Sequence, residues 1–294
     1  MRNAFIDEMC ALAEAHAHIA LVVGDLGYSV IEQFADRFPD RFINAGVAEQ
    51  NMTGLAAGMA SEGYHVFTYS IANFPTFRCA EQVRNSVAYH GVPVTVVAVG
   101  AGLAYGSAGY SHHAVQDYAL MRAMPGMTIA APGDPLEVRA CLRWLVANPG
   151  PSYLRLGKAG EPCIHSEVPE IAPGHWLTIR EGDDVLLSTG AALAAALERA
   201  DSTHRGYGIA TMPLWSMADK AVQAEQVAAH RRVVTLEDHL ADGGFGSWMM
   251  EALTSTPELL PRVSPIALDP AVCATVGSQA WLNRLGGLTP PLAA

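Results

Sequence analysis

Glu49 stands where the run RFINAGVA gives way to QNMTGLAAGMA, an apolar stretch of small residues with helical spacing. A carboxylate in the first turn of a helix meets exposed backbone N–H groups and the positive end of the helix dipole, which favour its charged form. Taken alone it is an ordinary first-turn glutamate. His112 and His113 follow each other in the glycine-rich segment AGLAYGSAGYSHH, directly after the apolar run VTVVAVG. Loops just beyond the carboxyl end of a strand are where α/β proteins bind ligands, so substrate contact is a reasonable expectation there. A metal reading is rejected, because adjacent side chains diverge on most backbones and no acidic cluster lies nearby in sequence. Tyr69, Phe74 and Phe77 end a strand-like run and start a helix-like one, and aromatics so placed are core residues by default. Arg78 and Glu81 have the three-residue spacing of an intrahelical pair and are taken as structural. Asp238 and His239 open the glycine-rich turn EDHLADGGFG, where a solvated strand-to-helix turn is as good a reading as substrate contact.

The elements that position these residues alternate. Short β-branched runs lie at 19–24, 65–70, 94–100, 127–131 and 152–156, with helical patterns at 47–60, 76–89 and 135–147 between them. The first 18 residues read as a further helix. A Pro-Gly-Asp-Pro turn supplies start signals for the helix at 135. Such alternation predicts βαβ units around a parallel sheet. From Glu161 to Gly174 the pattern breaks into the proline-containing stretch EPCIHSEVPEIAPG, which reads as a linker. Strand-like runs resume at 184–190, 206–212, 232–238 and 263–269. The expected fold class is therefore α/β with two domains, 1–165 and 166–294, each a mostly parallel sheet flanked by helices. The tail GLTPPLAA, Gly287 to Ala294, is expected to fray.

At 294 residues, half of them apolar and only 16% charged, the chain can bury two cores. A net charge of −11 without clustered Lys and Arg excludes nucleic acid and anionic membrane surfaces as expected partners. Five scattered cysteines with no C-x-x-C pair suit reduced thiols in a cytoplasm. No secretory signal is read at the amino terminus, and the uncharged stretch from Pro93 to Gln116 carries too many glycines, serines and histidines for a membrane span.

Four segments, RFINAGVAEQNMTGLAAGMASEGYHVF, TYSIANFPTFRCAEQVRNSVAYHGVPVTVV, YGSAGYSHHAVQDYALMRAMPGMTIAAPGDPLEV and LEDHLADGGFGS, together resemble the transketolase family, and are also similar to deoxyxylulose phosphate synthase. They occur in family order and span nearly the whole chain. Glu49 falls on the glutamate of the family motif G-[IV]-[AR]-E-[QH]. The resemblance implies a pyrimidine-binding domain followed by a transketolase C-terminal domain, with thiamine diphosphate as cofactor. It makes Glu49 the carboxylate that hydrogen-bonds the aminopyrimidine ring. Phe74 and Phe77, with Tyr69 near them, become the aromatic cradle of that ring, within a residue or two. His112 becomes the histidine that bonds substrate oxygens near the reacting carbon, with His113 a second choice and His239 a further substrate-side candidate. Small residues of the Glu49 helix, Gly54, Ala57, Gly58 and Ala60, are expected near a subunit interface.

The family pattern is departed from in three respects: the further histidine upstream of His112 and the acidic residue closer to it, usual where sugar phosphates are taken, give way to VAVGAG and GSAGYS, and two more concern anion binding. The family's arginine after the last strand of the first domain is replaced by Lys158 in LRLGKAG, with Arg155 close by; lysine holds an anion as a point charge without arginine's bidentate fork. Phosphorylated and unphosphorylated sugars both stay open. The G-D-G motif that holds magnesium and diphosphate is missing, so the Mg2+ ligands are expected on a partner, an N-terminal transketolase subunit carrying the diphosphate-binding domain, in an α2β2 heterotetramer. The expected function is a split transketolase passing a two-carbon ketol unit from a ketose to an aldehyde. The β subunit of a 2-oxoacid dehydrogenase and a non-catalytic regulatory paralogue are the alternatives.

Overall fold

Near-continuous apolar runs such as Ile19–Val23 and Val94–Val99, the second broken only by Thr95, have no face to offer water, so they belong inside a parallel sheet covered on both sides. In the computed structural model, which describes residues 1–291, both runs are buried along their whole length. The strands are β1 (Ile19–Val23), β2 (Phe42–Asn44), β3 (His65–Ile71), β4 (Val94–Val99), β5 (Thr128–Ala130), β6 (Ser152–Leu156), β7 (Leu177–Arg180), β8 (Asp184–Ser188), β9 (Gly208–Thr211), β10 (Leu214–Trp215), β11 (Arg232–Leu240) and β12 (Val263–Leu268). The helices are α1 (Arg2–Ala15), α2 (Glu32–Arg37), α3 (Glu49–Ser61), α4 (Ala80–Gln82), α5 (Asp117–Arg122), α6 (Pro135–Ala147), α7 (Leu193–Ala200), α8 (Gln223–Ala228), α9 (Phe245–Ala252) and α10 (Gln279–Leu285).

Two mostly parallel sheets result, as the alternation predicts. The first runs β10-β5-β6-β4-β3-β1-β2 and the second β12-β11-β8-β9-β7. Among the described residues only the strand pairs β10 with β5 and β7 with β9 are antiparallel. Three strands escaped the sequence reading. β2 and β10 are too short to show a period, and β7 is an edge strand whose burial alternates. β10 lies beyond residue 165 in sequence, yet it extends the first sheet.

Asp134 starts α6 as expected, its carboxylate accepting from the N–H groups of Leu136 and Glu137 with Pro135 at the first helical position. Its second oxygen accepts from the backbone of Ile164 and His165, which pins the connecting segment to the first sheet's helix layer. The expected fraying of the carboxyl terminus does not occur through Leu288. That side chain is buried in the core of the second sheet, and Arg199 donates to the carbonyls of Gly287 and Leu288. Residues 292–294 lie outside the described residues.

The two sheets share one apolar core, and Trp215 is its joint. The Trp215 ring lies 5.2 Å from Tyr118, 5.3 Å from Trp248 and 5.5 Å from Phe245, while its N–H donates to the Thr189 hydroxyl at 3.1 Å. Beside it Arg122 of α5 forks onto both oxygens of Glu251 in α9, at 2.7 and 2.9 Å. Trp215→Ala would empty a fully buried site and remove the donor to the Thr189 hydroxyl, which keeps its own bond to Met212 O. Urea denaturation is expected to show a loss of about 3–5 kcal/mol in unfolding free energy.

Candidate active site

α3 begins at Glu49, behind an N-cap Ala48 that is neither helical nor extended, and only 3% of the glutamate is exposed. Its Oε2 accepts a 2.8 Å hydrogen bond from Nη1 of Arg78. The Arg78 guanidinium in turn lies over the Phe74 ring, 4.5 Å from its centroid. Arg78 is thus not the partner of Glu81 that its spacing implied. The segment after β3 is a 3-10 turn at Phe77–Cys79, a single turn of α4 and a π-turn at Val83–Ala88, and the guanidinium at its start is taken by Glu49 and Phe74 instead.

The Phe74 turn is fixed by its own backbone. Ala72 N–H donates to Val99 O, Phe74 N–H to Ile71 O, and the Thr76 hydroxyl to Ala72 O. Asn73 ties this turn to the histidine loop, donating from Nδ2 to Ser111 O at 3.1 Å and His113 O at 2.9 Å. Sequence reading missed Asn73, and no spacing marks it.

His112 meets the Phe74 ring edge-on with 5.4 Å between centroids, and Tyr105 stands 6.5 Å away on another side. The Ser111 hydroxyl engages His112 Nδ1 at 2.9 Å, which leaves Nε2 as the nitrogen free for a ligand. Lys158 Nζ lies 5.7 Å from the Tyr105 centroid. Tyr105 can fold back under the loop because Gly100 has φ +92 and no side chain; a β-carbon there would overlap the ring. Glu49, Arg78, Phe74, His112, Tyr105 and Lys158 therefore form one continuous row beyond the carboxyl ends of β3, β4 and β6, the usual ligand crevice of a parallel sheet. Phe77, 46% exposed, lines an open cleft of about 710 Å³ beside this row, together with Asn73, Tyr110, Ser111 and Gln116.

Four expected site residues stand elsewhere, and each is diverted by burial. Tyr69 points into the opposite core layer and stacks on Phe5 at 5.5 Å; burial pushes its hydroxyl well above the ordinary phenol range. His113 turns inward, its Nε2 at 3.2 Å from Gly106 O. Arg155 is fully buried, with Nε on Asp117 at 2.6 Å and Nη1 on Asp238 at 2.5 Å. Burial alone would favour loss of its proton, but the two carboxylates outweigh it and hold the guanidinium charged. His239 stacks on Tyr118 at 5.2 Å and its Nδ1 meets Leu240 O at 2.6 Å; burial lowers its basicity. The missed signal for Arg155 and His239 is tertiary, since their partners lie far away in sequence.

Among the described residues no group of three or more His, Cys, Asp and Glu gathers to hold a metal ion, and no helix is long and apolar enough to cross a membrane.

Residues 1–160 match the transketolase pyrimidine binding domain and residues 174–290 the transketolase C-terminal domain. A 6-deoxy-6-sulfo-D-fructose transketolase subunit from a Clostridium species is 35% identical over 90% of this chain and 84% of its own. An apulose-4-phosphate transketolase subunit from Phocaeicola vulgatus is 33% identical over 87% and 84%. A solved split gene transketolase, described as an inactive beta4 tetramer, superposes with a TM-score of 0.84 at 33% identity, covering 98% of this chain and 93% of that one. With both domains matched in order, and with relatives of this similarity aligned along most of their length, the chain belongs to the transketolase family.

Proposed function

We propose that this chain is the subunit of a split transketolase that carries the pyrimidine-binding and C-terminal domains, and that it moves a two-carbon ketol unit from a ketose to an aldehyde only when joined to a partner. The observation that carries this reading is the buried Glu49 carboxylate joined through Arg78 to the Phe74–His112 pair. The fit to an aminopyrimidine rests on what stands there already. Arg78 is a flat cation that bears N–H donors, and it sits on the Phe74 face while bonding to Glu49. A flat, N–H-bearing pyrimidine ring asks for the same two partners, a ring face and a carboxylate.

When bound, thiamine diphosphate supplies the carbon nucleophile that accepts and passes on the ketol unit. Glu49 would hold the pyrimidine through its carboxylate, taking over the contact Arg78 now makes, and would keep a proton on the ring nitrogen it faces. Phe74 orients the ring from one face, and Phe77 narrows the cleft beside it. His112, its Nδ1 held by Ser111, offers Nε2 to the substrate oxygens and moves protons to and from them. Lys158, at the outer end of the row, binds the anionic end of the sugar as a point charge.

The diphosphate and magnesium are held by an N-terminal transketolase subunit in an α2β2 assembly. Its docking face on this chain includes α3, where Gly54 and Gly58 are exposed and a β-carbon at either would meet nothing within 4 Å. The named substrates of the two relatives, a sugar phosphate and a sulfosugar, support an anionic ketose or acceptor here. Domains at 1–165 and 166–294 and a cytoplasmic setting belong to the same proposal.

Glu49→Gln in the reconstituted pair is expected to lower ketol-transfer kcat by roughly 10²–10⁴-fold with partner binding unchanged; undiminished turnover would remove Glu49 from the chemistry. Lys158→Ala is expected to raise KM for a phosphorylated or sulfonated sugar roughly tenfold and leave an uncharged sugar unaffected. Equal effects on both sugars, read from initial rates, would dismiss the anion contact.

A further inference from the structure

The loop that carries His112 leaves β4 after Val99, enters α5 at Asp117, and contributes no strand to either sheet. Within its own domain it is closed at the neck by a bridge between Gly102 and Ala114, with N–O distances of 3.1 and 2.8 Å, and is tied by Asn73. Much of the remaining support comes from the carboxy-terminal domain, at two separate places.

At the neck, Asp238 of β11 lies against Gly102. That glycine has φ +57, and a β-carbon there would overlap the carboxylate. Arg155 locks the arrangement, donating to Asp238 Oδ1, to Asp238 O at 3.2 Å, and to Ala114 O at 2.7 Å. Leu240 N–H donates to Val115 O at 2.9 Å. At the far arm, Gly277 N–H donates to Gly106 O at 3.3 Å, the same carbonyl that His113 Nε2 reaches. A β-carbon on Gly106 would overlap Leu282 of α10 and come within 2.8 Å of Gly277 O. Leu103 and Val115 are fully buried in the apolar cluster that holds Leu236, Leu268 and Leu282.

We propose that the carboxy-terminal domain is the positioning element of the His112 loop, with Asp238 as the positioning residue at the neck and the Gly277–Leu282 contact as the brace at the far arm. The inference rests on the reading of His112 as a substrate-facing group. A domain that only widened the subunit interface would have no need to grip this loop at both arms. Neither contact touches Glu49 or Phe74, so loosening them lets His112 wander while the pyrimidine side of the row stays in place.

Two variants test this through different contacts. Asp238→Asn removes the charge that Arg155 pulls on, and Gly106→Ala lifts the far arm off Leu282 without touching the ion pair. Amide hydrogen exchange on the full chain is expected to rise about fivefold or more across 101–116 in both variants, with the α3 amides unchanged. In the reconstituted pair each variant is expected to lower kcat roughly tenfold with unaltered affinity for thiamine diphosphate, and to cause no further loss when combined with His112→Ala. Unchanged exchange in 101–116, or kcat losses that add fully to that of His112→Ala, would overturn the proposal. Should Asp238→Asn fail to fold, Gly106→Ala carries both measurements alone. Should the unmodified pair show no ketol transfer, the functional reading fails, and the exchange data still decide whether the domain holds the loop.

Discussion

The structure turns on one buried cation. Arg155, at the end of the last strand of the first sheet's βα series, has no exposed side-chain surface, and two carboxylates from different domains converge on it. Charges this deep are tolerable only when every donor is used, and here Nε, Nη1 and Nη2 all reach oxygens on Asp117, Asp238, Ala114 or Tyr118. Complete burial works against a charged Asp117, but the Arg155 cation outweighs it and holds the carboxylate charged, and the Tyr153 hydroxyl adds a 2.5 Å bond. Removing one partner from a buried pair of this kind costs about 3–5 kcal/mol, because the survivor is left charged and dry. The same group that could have been read as an anion receptor is instead the bolt that joins the two domains below the site.

Above that bolt lies the row from Glu49 to Lys158, and the chemistry proposed for it follows from unequal burial. Glu49 is sunk at a helix start, Arg78 is half in solvent, and Phe74 and His112 stand between buried floor and open cleft. A carboxylate placed this way is sheltered from water on the protein side and open on one. In the proposed assembly a pyrimidine ring entering there would complete the enclosure, and a second polypeptide over the exposed Gly54 and Gly58 of α3 would close the rest.

What the sequence disclosed, and what it hid, divides along the range of the interactions. The start of α3 at Glu49, the loop that carries the two histidines and most strands were legible because local pattern carries them: a helical period of small apolar residues, a glycine-rich loop after a buried strand, β-branched runs between helical periods. Features decided by distant partners were not legible. Nothing in LRLGK says that its arginine meets residues 38 and 83 positions away. The spacing of Arg78 and Glu81 suggested a helical pair, but a π-turn follows and Glu49 competes for the guanidinium. β10 has two residues, too few for any period, and is a strand only because β5 offers it an edge. Leu288 looked like part of a loose tail, and it is buried because Arg199 takes the carbonyls beside it.

The central claim is that this chain holds one part of an active site that another polypeptide completes. Ketol transfer from a ketose to an aldehyde tests it directly, measured for the chain alone, for an N-terminal transketolase subunit alone, and for the two mixed with thiamine diphosphate and magnesium. Turnover confined to the mixture is the predicted result. Turnover by the lone chain, or a mixture that binds the cofactor and transfers nothing, would contradict it.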